Sequence, residues 1–305
     1  MANLKDIKRR IRSVRGTQQI TRAMKLVAAA KLRRNQDRLV LLRPFSDGIA
    51  TLLARFLPQA VGDEHPLLMP REQVAKKLMV VITGDKGLCG AFNQNILRHA
   101  ERLCSASTDC PVEVVTVGRT GHRYLSRRDV TVREHWEDIY ERLSFLTARN
   151  ISKVLEEPFL KGEVDEVMVV YSHFVSPIEQ RVSSYTLLPL ELENIRKSAA
   201  LGARAARDID IPAADQRDVY LFEPDVVSLC NDLLSRYLAG ELYRTILENV
   251  ASEFGARMTA MDAATENADD LIGRLTLEYN RARQAAITTE ILEVATGAEA
   301  MKKGA

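Results

Sequence analysis

The feature that most limits how this chain can fold is a seven-residue repeat at both of its ends. Residues 3–43 contain no proline and a single glycine, and Ile7, Ile11, Val14, Ala28, Leu32, Leu39 and Leu42 fall on one register that steps by fours and threes. Gln18, Thr21, Lys25 and Asn35 occupy the same register, where polar residues cost stability but fix alignment. In the C-terminal third Leu247, Phe254, Met261, Ala268, Leu275, Ala282 and Thr289 recur every seventh residue, flanked by Met258, Ile272, Tyr279 and Ala286, and no proline follows Pro224. A helix over that span is on the order of 100 Å long at a rise of about 1.5 Å per residue. Gly240 is a candidate break in it, and Gly297 reads as its terminating residue.

A helix of that length must bury its stripe against something, and charge names the partner. Residues 1–43 carry thirteen Lys and Arg against two Asp, whereas residues 241–300 carry eleven Asp and Glu against five Arg. The basic arm taken alone would suit nucleic acid or an anionic membrane. The acidic seam at the other end favours mutual neutralisation. The expectation is therefore a slim, protruding antiparallel coiled coil made of residues 1–58 and 219–305. Ile20, Met24 and Val27 fall on a further side of the first helix and Ile287, Ile291 and Val294 near the end of the second, which predicts an enclosing partner surface.

Residues 74–192 change period. KLMVVIT (77–83), VEVVTVG (112–118), DEVMVVYSHF (165–174) and SYTLLPL (184–190) read as strands. AFNQNILRHAERL, GHRYLSRR and ERLSFLTARNISKVLEEPFL read as helices between them. Alternation of this kind implies a Rossmann-like β/α domain with a mostly parallel sheet, so the fold class is α/β. Residues 193–218, polar and rich in Ala and Arg, read as a linker or mobile loop.

Candidate chemistry is sparse. With 46% hydrophobic residues the chain supports real cores, yet no apolar run approaches the roughly 18 to 20 residues of a membrane span. Cys89, Cys104, Cys110 and Cys230 form no CxxC pair, so neither a zinc site nor a disulfide framework is indicated and a reducing cytoplasm is the default. His65, His99, His122, His135 and His173 are scattered without metal-ligand spacing. Gly84, Gly87 and Gly90 follow a strand and open a helix, but their GxxGxxG spacing is neither the dinucleotide fingerprint nor a phosphate loop, so a structural turn is favoured over nucleotide binding. Cys89 beside Lys86 would suit a nucleophile, yet no acid is positioned to help, and a contact role is favoured. No catalytic residue, cofactor or metal is expected.

Four strings carry a resemblance: IKRRIRSVRGTQQITRAMKLVAAAKLRR, GDKGLCGAFNQNI, VYLFEPD and ARMTAMDAATENADDLIGRLTLEYNRARQAAITTEILEVATGA. In this order, and spanning nearly the whole chain, they resemble the gamma subunits of bacterial F-type ATP synthases. The resemblance implies a non-catalytic central stalk, one copy per complex. It would couple rotation of a membrane c-ring to conformational cycling of an alpha/beta hexamer, with an epsilon subunit as a further partner. It also implies a peripheral place on the cytoplasmic face of the cell membrane, with membrane contact only through the c-ring and no nucleic-acid partner.

By motif, Arg283, Gln284 and Thr288 look like polar contacts to the hexamer, with Met24 and Lys25 opposite them, and the segment from Ile291 looks like the bearing end. Lys86 and Cys89 resemble the turn that meets the beta subunit's lever. Tyr220, Phe222 and Glu223 resemble the foot on the c-ring. The family's turn usually begins Ser-Asp-Arg, where this chain has Gly84-Asp85-Lys86 after Thr83. Cys104 and Cys110 lie well before the cysteine-bearing insertion of redox-regulated chloroplast relatives, so thiol control of that type is not expected. The competing readings are a nucleotide-binding α/β enzyme with helical arms and a nucleic-acid-binding protein. Neither explains the complementary acidic seam.

Overall fold

Each proline-poor end forms one helix, α1 (Leu4–Ala60) and α6 (Val226–Lys303). Between them lie β1 (Lys77–Ile82), α2 (Phe92–Ala106), β2 (Val112–Val117), α3 (Arg119–Leu125), β3 (Thr131–Trp136), a short 3-10 turn (Tyr140–Arg142), α4 (Phe145–Leu160), β4 (Glu166–Phe174), β5 (Gln180–Leu188) and α5 (Leu192–Asp208). This computed structural model describes residues 4–60, 65–107, 110–128, 130–208, 222–223 and 225–303. The chain divides into two units, Met1–Ala28 with Met258–Ala305, and Ala29–Arg257.

The first unit is the antiparallel helix pair. Gln18 donates to the Asp269 carboxylate, the Thr21 and Thr265 hydroxyls meet at 2.8 Å, and Lys25 Nζ lies 2.5 Å from Asp262 Oδ1. As one number rises the other falls, which fixes the register. Ile7, Thr21 and Ala28 on one helix and Met261, Ala268 and Leu275 on the other are buried, the seven-residue stripe of the sequence. The polar seam residues bond across the pair, so none of these three is left desolvated without a partner. Extending the register places Leu4 near Arg283, and every residue from Arg283 to Ala298 is exposed.

The second unit is a five-stranded sheet of order β3-β2-β1-β4-β5. The first four strands are parallel and β5 returns antiparallel to β4. Period-two alternation sends the side chains of β1 to two cores. Leu78, Val80 and Ile82 join the core closed by α1, α4 and α6, through Leu53, Leu57, Leu155, Phe159, Leu234 and Ile246. Met79 and Val81 join the core closed by α2 and α3, through Ile96, Leu97 and Leu125.

Three expectations are corrected, and β3 is a strand that the sequence pattern does not mark. The 193–218 linker is helical as far as Asp208, because Ile195 and Ala199 bury one face and Glu193 pairs with Lys197 at 3.6 Å on another. Residues 209–218 lie outside the described residues. The edge strand β3 carries mostly exposed, charged side chains and so has no hydrophobic signature. Gly240 does not break α6, where it lies buried near Ser46. Gly297 does not end it either: a single glycine costs only about 1 kcal/mol, and good helix formers follow it.

Candidate partner-contact site

In an open parallel sheet, ligands enter the crevice beyond the carboxyl ends of the strands where the winding reverses. Here that point lies between β1 and β4, and α6 occupies it. Asn249 Oδ1 accepts from Ser172 N at 3.0 Å, and Ser252 Oγ donates to Ser172 O at 2.9 Å. Arg257 Nη2 lies 2.5 Å from Glu253 Oε1 and donates to the carbonyls of Lys86 (3.4 Å) and Gly87 (3.2 Å). The glycine turn after β1 thus encloses a side-chain cluster of the chain's own last helix, where a nucleotide would bring its phosphates.

The walls of the crevice explain its glycines. A Cβ at Gly118, where φ is +104°, would lie 2.1 Å from the Thr83 carbonyl oxygen. A Cβ at Gly84 would lie 2.8 Å from Glu253 Cδ. Gly84 N donates to Asn93 Oδ1 at 2.8 Å, Arg119 N to Asp85 Oδ1 at 2.9 Å, and the Tyr140 hydroxyl to the Thr83 carbonyl. Burial raises the Glu253 carboxyl above the ordinary glutamate range, with Arg257 opposing the rise. Burial likewise pushes the Tyr140 phenol well up, and the charges of Glu253 and Asp85 add to the effect.

Cys89 does not reach the surface. It is 2% exposed, and Asn93 Nδ2 donates to its Sγ at 3.4 Å. Burial and then the Glu253 charge raise its thiol, which disfavours the thiolate a nucleophile requires. Lys86 is exposed, with Nζ 3.4 Å from Glu141, whose carboxylate also lies 3.8 Å from Lys31. The apolar residue the turn displays is Leu88, 63% exposed at a φ of +63°.

The remaining site residues fall apart into separate places. Lys25 is engaged by Asp262, and Met24 beside it is half-buried. The register puts both about twenty residues along α6 from Arg283, so they do not face Arg283, Gln284 and Thr288. Those three and Ile291 are exposed, and the hydroxyls of Thr288, Thr289 and Thr296 bond back to the carbonyls of Gln284, Ala285 and Leu292. Ile20, Val27, Ile287, Ile291 and Val294 are all exposed, as the second apolar face requires. Phe222 packs edge-on to Phe56 with ring centroids 5.1 Å apart, leaving Glu223 exposed beside it, and Tyr220 lies outside the described residues.

Of the scattered histidines, His122 and His135 stack at 4.1 Å. Among the described residues no group of three or more His, Cys, Asp or Glu is placed to hold a metal ion. No described helix is long and apolar enough to cross a membrane. Sequence reasoning passed over Glu253, Arg257 and Leu88. The signal for the first two was an acid and a base four apart among small residues in ASEFGARM.

The sequence profile described as ATP synthase matches residues 3–301. The ATP synthase gamma chain of Geobacter sp. (strain M21) is 42% identical over 304 residues, 99% of this chain and 100% of that one. A chain in the central stalk/c-ring structure of Tetrahymena thermophila mitochondrial ATP synthase superposes with a TM-score of 0.58 at 26% identity, over 80% of this chain and 99% of its own. A chain in the OSCP/F1/c-ring structure of Euglena gracilis mitochondrial ATP synthase shares the fold, with a TM-score of 0.67 over 99% of this chain and 95% of its own, at 19% identity.

Proposed function

Because the chain belongs to the ATP synthase gamma family, we propose that it is the rotary shaft of an F-type ATP synthase, turning with a membrane c-ring inside an alpha/beta hexamer. Ion flow turns the ring, and the helix pair presents a different face to each of three catalytic sites at any moment. Differential contact free energy then biases each site between open, loose and tight states, as linkage requires of any coupled change. ATP chemistry belongs to the partners, and this chain supplies no catalytic residue and no cofactor. It is present once per complex, carries an epsilon subunit, and lies peripherally on the cytoplasmic face of the cell membrane.

The observation that carries this reading is the uncovered apolar surface of the helix pair. Its seam buries one stripe and leaves Ile20, Val27, Ile287, Ile291, Leu292 and Val294 in water. Such surfaces mark interaction sites. The threonine hydroxyls among them are quiet, since they bond within their own helix. A surface of this kind suits repeated slip inside a sleeve better than strong ion pairs would. Arg283, Gln284 and Thr288 meet the hexamer near the end of α6, Lys25 and Met24 meet it elsewhere, and Phe222 with Glu223 and Tyr220 belongs to the foot on the ring.

The test is to tag the chain in its host, release it from washed membranes and assay the eluate. Recovery of an ATPase-active hexamer of two larger subunits is expected. A chain that elutes alone and binds nucleotide or nucleic acid would overturn the reading.

A further inference from the structure

We infer that Gly84, Glu253 and Arg257 form a latch that fixes the Gly84–Gly90 turn to α6, and that the turn so held presents Leu88 as its apolar contact to the hexamer. The inference rests on the rotor reading for the identity of the partner. The latch itself rests on the geometry of one unit of the chain.

Three observations meet at this turn. Leu88 holds a left-handed conformation, which is uncommon for a branched apolar residue and persists only where the surroundings enforce it. What enforces it is Arg257, whose guanidinium donates to the two carbonyls immediately before Leu88, those of Lys86 and Gly87. Arg257 is in turn aimed by Glu253, with 90% or more of each side chain buried. The third observation is Gly84. Its φ lies outside the left-handed region, so what a side chain there would meet is the latch: a Cβ would lie 2.8, 2.9 and 3.1 Å from Glu253 Cδ, Oε1 and Oε2 and would have to displace the carboxylate that aims Arg257.

Leu88 and Cys89 are neighbours with opposite fates. The thiol is enclosed with Asn93, while the leucine side chain stands in solvent. A knob on a fixed turn transmits force to whatever it touches, whereas the same knob on a loose turn yields to it. Glu253, Arg257 and Gly84 are therefore positioning residues, and Leu88 is the contact residue.

The experiment uses the full chain and the complete ATP synthase, with the variants Gly84→Ser, Glu253→Asp, their combination, Arg257→Lys and Leu88→Ala. In the full chain, hydrogen exchange of the Phe92 and Thr120 amides, which donate to the Cys89 and Gly84 carbonyls at the two ends of the turn, is expected to quicken several-fold in Gly84→Ser. It should return toward the parent rate in the double variant, where the shorter acid vacates the space. Arg257→Lys keeps the charge but loses the planar fork, and is expected to quicken the same amides, which tests the latch if Gly84→Ser fails to fold. In assembled complexes, Gly84→Ser, Arg257→Lys and Leu88→Ala should each lower ion-driven ATP synthesis relative to ATP hydrolysis, with recovery in the double variant. Unchanged exchange in both Gly84→Ser and Arg257→Lys overturns the latch even if every complex assembles. Normal coupling in assembled Leu88→Ala complexes overturns the contact. If the parent chain joins no complex, the rotor reading fails and the contact with it, while the exchange data still decide the latch.

Discussion

Two stretches of α6 are enclosed to different degrees. From Thr245 to Arg257, α6 is buried almost all round, with Phe254 alone only partly so; from Met261 to Leu275 it is buried once every seven residues. The first stretch carries Thr245, Glu248, Asn249, Ser252, Glu253 and Arg257 inward, Thr245 bonded to Tyr185, Glu248 to Arg244, Asn249 and Ser252 to Ser172, and Glu253 to Arg257. The second carries Asp262, Glu266, Asp269 and Asp270 outward. A helix stretch that carries polar residues can thus be enclosed when the carboxyl ends of the strands, the turn beyond them and its own neighbouring turns offer hydrogen-bond partners. A helix that is apolar only in one stripe suits a single neighbour and leaves its other faces for something else.

The largest expected effect separates the two stretches by their ion pairs. Arg257→Ala removes the partner of a buried carboxylate and should destabilise the Ala29–Arg257 unit by about 3–5 kcal/mol in urea unfolding of the full chain. The packing contrast comes next. Ile246→Ala, at a site with no exposure, should cost about 2–5 kcal/mol, and Leu275→Ala, at the thin seam, should cost toward the bottom of that range. Equal losses in the two positions would break the comparison.

A smaller effect follows from Glu253. Because burial raises its carboxyl in the folded chain, the folded state retains the proton where the unfolded state has lost it. Its contribution to stability therefore falls as pH rises from the ordinary glutamate range toward the raised value. Unfolding free energies measured across that interval should lose this downward component in Glu253→Gln. The smallest effect belongs to the seam: Lys25→Ala breaks a substantially exposed pair with Asp262 and should cost under about 1 kcal/mol, less still in high salt. A seam pair that costs as much as Arg257→Ala would erase the distinction between the two stretches.

The seven-residue stripe was legible because it is local: Ile7, Ala28, Leu32, Met261, Ala268 and Leu275 announce their burial by spacing alone. The strongest strands were legible for the same reason, since Leu78 to Ile82 and Val167 to Val170 are apolar on both sides. What could not be read was anything fixed by a distant partner. The strand β3 is polar because it is an edge, and α5 looks like a linker until Ile195 and Ala199 find the core. Cys89 and Leu88 are adjacent in sequence, and only the packing of Asn93 and Arg257 decides which of them is turned in. The pairing of Met24 and Lys25 with Arg283 failed on register, a quantity that a repeating seam leaves ambiguous by whole heptads.

The exposed run from Arg283 to Ala298 has a consequence for how a binding partner would meet it. A free peptide of that length is marginal as a helix in water, because its first turn must form before any hydrogen bond rewards it. Here the first turn already exists, since Leu275 and Tyr279 hold the preceding turns in the seam. Each further residue is then a propagation step close to neutral in free energy. The helix end is a zipper already closed as far as Lys303, so a partner that meets Ile287 and Ile291 finds a formed helix and spends none of its contact energy on nucleating one.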